Sequence, residues 1–60
     1  MVNNVIDAFK KYWPEYYVHN DKPVITEGRL RILLGLMTMR GATEEEIDDV
    51  IEDFERNYAP

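Results

Sequence analysis

The stretch "LLGLMTMRGATEEEIDDVIEDF", residues 33–54, places two apolar patterns on either side of a very short "GAT" connection. Both patterns repeat at three- and four-residue steps, which is the spacing of one helix face. Their members are Leu30, Leu33, Leu34 and Met37 before the connection, and Ile47, Val50, Ile51, Phe54 and Tyr58 after it. The stretch therefore predicts two helices that are neighbours in the fold, because so short a link cannot separate them.

Residues suited to helix ends set the bounds of these two helices at about 26–40 and 44–58. Thr26 is a good cap for the first, and Gly41 is a good end for it, because glycine readily adopts the left-handed conformation found after helices. Thr43 and Glu46 form the capping-box pattern, in which each side chain accepts a hydrogen bond from the other residue's backbone N–H.

The same spacing predicts an amino-terminal helix over about residues 2–13. Its apolar residues are Val2, Val5, Ile6, Phe9, Tyr12 and Trp13. Pro14 ends or kinks this helix, because proline has no N–H to donate and its ring clashes with the preceding turn. A kink would keep Tyr16 in phase with the apolar face and allow one further short turn.

Turn-forming residues fill the segment between the first two predicted helices. Asn20, Asp21 and Pro23 predict a connector over residues 17–25. A minor β-hairpin within 15–26 is a second interpretation, although an isolated hairpin is only marginally stable. We expect an all-α three-helix bundle that forms a single domain over residues 1–60, with the helix at 26–40 in the middle.

The helix predicted at 26–40 carries a second apolar stripe on roughly the opposite side from the first. A helix that is apolar on two sides is normally buried on both. Gly35 lies beside this second stripe and weakens the helix by about 1 kcal/mol relative to alanine, which favours close approach of another backbone there. We therefore expect a homodimer, and the candidates for its seam are Ile32, Gly35, Leu36 and Met39.

The residue composition argues against several classes of function. The chain has no cysteine and a single histidine, His19, so it offers neither a thiolate or multi-histidine metal site nor a recognisable catalytic triad. Sixty residues also leave little room for a ligand pocket of the usual roughly 300 Å³. We expect no enzyme activity and no cofactor. No apolar run approaches the roughly 20 residues that span a bilayer, and we expect a cytoplasmic protein.

Negative charge is concentrated in the last third of the chain. The net charge is −5, but residues 42–60 carry eight acids and only one basic residue, Arg56. Like charges three and four positions apart weaken a helix by a few tenths of a kcal/mol each, so this density calls for an explanation. Either the acids only solvate the helix, or they bind a partner. The candidate partner-binding acids are Glu45, Asp48, Asp49, Glu52 and Asp53.

Four aromatic residues lie within residues 12–17. Large side chains of this kind are needed to fill the core of a small bundle, and we assign Trp13 to the core. Tyrosine and tryptophan are also enriched where proteins bind partners. Tyr17 falls off the apolar stripe of the first helix, so Tyr17 and Tyr16 are candidates for a surface contact.

These observations favour a small acidic protein-interaction module that binds a basic partner through its carboxyl-terminal helix. Short, acidic, cofactor-free proteins of this type include phage-encoded inhibitors of host nucleic-acid enzymes, and rows of carboxylates can mimic nucleic acid. We therefore expect the partner to be a basic protein, such as a nucleic-acid enzyme.

The alternative is a homodimeric regulatory protein that binds DNA. Residues 33–54 resemble a helix–turn–helix motif in having a helix, a short glycine-containing turn and a second helix. That resemblance implies that the second helix enters the major groove. Its first turn is "EEE", however, which would face phosphates. A ribbon–helix–helix dimer with "KPVIT" as its strand meets the same objection, so we expect no direct nucleic-acid binding.

Overall fold

Four α-helices make up the part of the chain that the computed structural model describes, which is residues 5–19 and 24–59. They are α1 (Val5–Tyr12), α2 (Pro14–His19), α3 (Glu27–Met39) and α4 (Glu44–Asn57). The all-α prediction is confirmed, but the helix count is four rather than three. The additional helix is α2, which follows a kink at Pro14. Residues 2–4 of the predicted first helix lie outside the described residues.

Pro14 starts a new helix because its missing N–H is not needed in a first helical turn. The backbone remains bonded across the kink, since the Tyr17 N–H donates to the Trp13 carbonyl at 3.4 Å. Residues 15–19 are therefore helical, and the described residues contain no strand of the alternative hairpin within 15–26. Residues 20–23 of that interpretation lie outside the described residues.

The helix ends behave as the capping residues predict. Thr26 accepts a hydrogen bond from the Arg29 N–H at 3.2 Å, and Thr43 and Glu46 form both bonds of the capping box. Gly41 adopts a left-handed conformation with φ of 87°, and the Ala42 N–H returns to the Met37 carbonyl at 2.9 Å. These bonds satisfy backbone groups that the ends of α3 and α4 would otherwise leave without partners.

The middle of the fold is α1, not the helix at 26–40 as predicted. α1 packs against each of the other three helices, whereas the remaining pairs of described helices, including the predicted neighbours α3 and α4, make few contacts or none. Half of its residues are buried: Val5, Ala8, Phe9 and Tyr12. They form the core with Leu30, Leu33 and Met37 of α3 and Val50 and Phe54 of α4.

Contacts at both ends of α1 set its direction relative to its neighbours. The Val5 N–H donates to the Asp53 carboxylate near the end of α4, and the Tyr12 hydroxyl donates to Glu46 near the start of α4. These contacts make α1 antiparallel to α4. The Arg40 guanidinium, at the end of α3, donates to the Tyr12 carbonyl at the end of α1.

Only one side of α3 is buried. Its second stripe faces outward, with Ile32 51% exposed, Met39 81% exposed and Leu36 partly buried. No atom lies within 4 Å of a Cβ built on Gly35, so the predicted close approach of a backbone does not occur within the described chain. The reason is that α1 packs on the Leu30 and Leu33 side alone. None of the described helices is long and apolar enough to cross a membrane.

Candidate functional site

The solvent-facing side of α4 presents four carboxylates, which we call the acidic surface. Val50 and Phe54 turn the opposite side of α4 into the core. Three members of the acidic surface are exposed and the fourth, Asp49, is partly buried. Because these residues repeat at three- and four-residue steps, they share one side of the helix over about 10 Å. The members are Glu45, Asp48, Asp49 and Glu52.

Asp53, the fifth predicted binding acid, makes contacts within the fold. Its carboxylate accepts hydrogen bonds from the Val5 N–H at 3.0 Å and from the Asn57 amide at 2.6 Å. A negative charge beside the first residue of α1 is favourable, because helix amino termini carry free N–H groups and a partial positive charge. These contacts explain the position of Asp53 without any partner.

Glu46 is also turned toward the fold. Its carboxylate accepts hydrogen bonds from the Tyr12 hydroxyl at 2.9 Å and from the Lys11 ammonium at 3.4 Å. The Tyr12 bond, followed by the bond from the Thr43 backbone and the Lys11 contacts, lowers the pKa of the Glu46 carboxyl. The pKa of Lys11 is raised by its contacts with Tyr12 and Glu46. Glu46 therefore ties the start of α4 to the end of α1.

The carboxylates of the acidic surface make few interactions with the rest of the described chain. Glu52 pairs with Arg56 at 3.8 Å, but both side chains are largely exposed, and such pairs contribute little to stability. Glu45, Asp48 and Asp49 form no ion pair with any described residue. Apart from the exposed Glu52–Arg56 pair, the carboxylates of the acidic surface form no ion pair within the described residues.

The predicted aromatic contacts pack around the kink between α1 and α2. Trp13 stacks on Tyr16 with ring centroids 4.6 Å apart and on Phe9 at 5.7 Å. The Arg29 guanidinium lies 5.7 Å from the centre of the Tyr16 ring, and the Tyr16 hydroxyl accepts a hydrogen bond from the Val24 N–H. Tyr16 is thus partly buried against the core.

Tyr17 is also partly buried and packs against the core, with the Lys10 ammonium 5.3 Å from its ring centre. Tyr16 and Tyr17 belong to α2, whereas the acidic surface belongs to α4. Any contribution of the two tyrosines to binding a partner stays a prediction.

The four predicted dimer-seam residues form a continuous face on α3, which we call the α3 outer face. It consists of Ile32, Gly35, Leu36 and Met39. Two large apolar side chains of this face, Ile32 and Met39, are among the most exposed in the described residues. An exposed apolar stripe of this kind marks a surface able to contact another protein.

An open groove between α3 and α4, the α3–α4 groove, was not predicted. Its volume is about 570 Å³, larger than the sequence led us to expect. The two helices are joined at one end by a short link, and the groove lies between their other ends. It is lined by Ile25, Thr26, Glu27, Leu30, Ile51, Phe54, Glu55, Tyr58 and Ala59. One feature of the sequence could have indicated this groove. Ile51 and Tyr58 make the apolar stripe of α4 wider than its contact with α1 requires.

No group of three or more acidic or histidine side chains in residues 5–19 and 24–59 is arranged to hold a metal ion. Comparisons with protein-family models, with curated protein sequences and with solved structures find no significant match to this chain.

Proposed function

We propose that the protein is a small acidic interaction module that binds a basic protein partner through the acidic surface of α4. The observation that carries this proposal is that some carboxylates of α4 bond to α1 whereas others face away from the core. Asp53 and Glu46 bond to α1, whereas Glu45, Asp48 and Asp49 face away from the core without ion partners in the described chain. Their mutual repulsion weakens the helix, and binding of a basic partner would relieve it.

A protein that normally binds nucleic acid is the class of partner that this surface fits best. Duplex DNA carries one negative charge per roughly 1.7 Å of its axis, and the acidic surface places four carboxylates within about 10 Å of helix. The basic groove in which such a protein binds nucleic acid would therefore attract the acidic surface. If the partner is an enzyme, occupation of that groove would inhibit it, in the manner of a nucleic-acid mimic. Opposite charges of this kind mainly accelerate association and select the partner.

The experiment starts with affinity capture of the partner in the native host, followed by titrations of the purified pair at increasing salt. We expect fast association at low salt, a steep loss of affinity as salt screens the charges, and no binding after neutralisation of all four acids. Asp48→Asn alone should weaken binding measurably. Glu15→Gln removes one charge from α2 and should not. Equal effects of the two substitutions would show that only net charge matters.

A second candidate function, a homodimeric regulatory protein, is favoured by the exposure of the α3 outer face. Two copies crossing at Gly35 would cover Ile32, Leu36 and Met39, and closed twofold pairs are the commonest assemblies of identical chains. Sedimentation at micromolar concentration tests this candidate, since Leu36→Glu should dissociate such a dimer. A gel shift with duplex DNA tests the regulatory role, which the exposed Glu44 and Glu45 at the start of α4 oppose.

A further inference from the structure

The α3–α4 groove combines an apolar floor with acidic sides. Leu30 and Phe54 form core-facing parts of its lining, and Ile51 and Tyr58 stand on its α4 side. Ile51 is only partly buried and Tyr58 is 38% exposed, so the described chain leaves much of this apolar area in contact with water. A groove with partly exposed apolar walls and a few polar groups at its sides is characteristic of binding sites.

The carboxylates around the groove specify the chemistry of its occupant. Glu27 lines it from α3 and Glu55 lines it from α4. Glu27 pairs with Arg31 at 3.2 Å, but both side chains are 73% exposed, so a competing cation can replace Arg31 at little cost. An acidic or neutral apolar occupant would leave both carboxylates facing apolar or like-charged atoms. A basic one would pair with them.

The groove is continuous with the acidic surface. Asp48 and Glu52 precede Glu55 by seven and three positions, which places all three along one side of α4 beside Ile51. A partner segment that lies in the groove would therefore reach the acidic surface with its next cationic side chains.

We propose that the α3–α4 groove is the docking site for a basic amphipathic helix of the partner. Apolar side chains of that helix enter the groove, and lysine or arginine residues on either side pair with Glu27 and Glu55. This is the mode in which an amphipathic helix lays its apolar face in a groove between two helices. The inference rests on the proposed function and deepens it, because it adds an apolar anchor to a surface otherwise defined by charge.

Two synthetic peptides of about 18 residues test the proposal. The first has leucine at helical three- and four-residue steps and lysine at the other positions. The second has the same composition in an order without helical periodicity. Fluorescence anisotropy measures their binding to the full chain. We expect the first peptide to bind more tightly, and Ile51→Ala to weaken it about tenfold while leaving the second peptide unchanged.

Met39→Ala is the matched control, because it removes an apolar side chain from the α3 outer face and should change neither peptide's affinity. Equal binding of both peptides, unaffected by Ile51→Ala, would overturn the docking site and leave the acidic interaction module standing. Binding of neither peptide would count against both proposals. A concentration-dependent oligomer that Ile51→Ala dissociates would assign the groove to a second copy of the chain and overturn a foreign partner.

A second readout does not depend on substitutions in the groove. Titration of the first peptide should shift the methyl NMR signals of Ile51 and Leu30, while the signals of Ile32 and Met39 stay in place. The reverse pattern would move the binding site to the α3 outer face and overturn the proposal. Thermal unfolding of Ile51→Ala, followed by circular dichroism, shows whether the variant keeps its fold under the conditions of the binding assay.

Discussion

The backbone N–H of Val5 donates a hydrogen bond of 3.0 Å to the carboxylate of Asp53, across 48 positions of sequence. Val5 is the first residue of α1, and Asp53 lies in the last turns of α4, so the bond links the two helices at their antiparallel ends. It also places a negative charge where the α1 dipole favours one. Asp53 thus helps to hold the helices together, although its neighbours Asp49 and Glu52 are members of the acidic surface.

Asp53→Ala should destabilise the fold by about 1 kcal/mol, because it leaves the Val5 N–H without its carboxylate and removes the bond from Asn57. Urea unfolding followed by circular dichroism measures the loss. The control is Asp49→Ala, one turn earlier on α4, because the Asp49 side chain makes no hydrogen bond with any described residue. A destabilisation no greater than that of the control would mean that the Val5 bond contributes nothing.

Acid sensitivity should depend on Glu46. The folded protein lowers the pKa of this carboxyl below its ordinary value of 4.5, chiefly through the bond from Tyr12. The stability from this interaction is therefore complete above about pH 4.5 and is lost as the pH falls through the lowered pKa. Thermal unfolding at a series of pH values should show a smaller acid-induced loss for Glu46→Gln and for Tyr12→Phe than for the unmodified chain. Glu45 is next to Glu46 but does not bond to Tyr12. Glu45→Gln should therefore show the same acid-induced loss of stability as the unmodified chain.

The bounds of α3 and α4 could be predicted from the sequence because the signals are local. The capping box at Thr43 and Glu46, the stop at Gly41 and the stripes of α3 and α4 depend on residues within a few positions of each other. The central place of α1 could not be read in this way. It depends on which long-range pairs form, such as Val5 with Asp53, and periodicity carries no information about those pairs.

For the candidate site too, the sequence could predict which acids lie on the exposed side of α4 but not which of them bond to another helix. Helical spacing correctly placed Glu45, Asp48 and Glu52 on the side of α4 away from the core. It could not separate them from Asp53, which is a single turn away but bonds to another helix. The α3–α4 groove was missed because its existence depends on how far two linked helices separate at their free ends.

Leu33→Ala should destabilise the protein by roughly 2–5 kcal/mol, a large fraction of the stability of so small a domain. Leu33 is fully buried between α1 and the rest of the core, whereas Leu34 is only partly buried. Leu34→Ala should therefore cost less, although Leu33 and Leu34 belong to the same predicted apolar stripe. Urea unfolding of both variants decides the order. Equal losses, or a larger loss for Leu34→Ala, would contradict the packing of α3 on α1.

Gly35→Ala separates a solvent-facing α3 from one that contacts a second copy. Glycine within a helix costs about 0.5–1 kcal/mol relative to alanine, and no atom stands within 4 Å of a Cβ at this position. In dilute solution the substitution should therefore raise the free energy of unfolding by about that amount.

The same methyl group would stand in the crossing of two α3 helices, where it would push their backbones apart. If the second candidate function holds, Gly35→Ala should shift the sedimentation equilibrium toward the 7.1 kDa monomer while still stabilising that monomer. Unfolding measured over a hundredfold range of concentration provides the second test, because only a dimer makes the midpoint depend on concentration. If the midpoint does not depend on concentration, and if the unmodified protein and Gly35→Ala both sediment as monomers, the α3 outer face does not bind a second copy of the chain. The glycine would then be a site where alanine improves the helix at no cost to assembly.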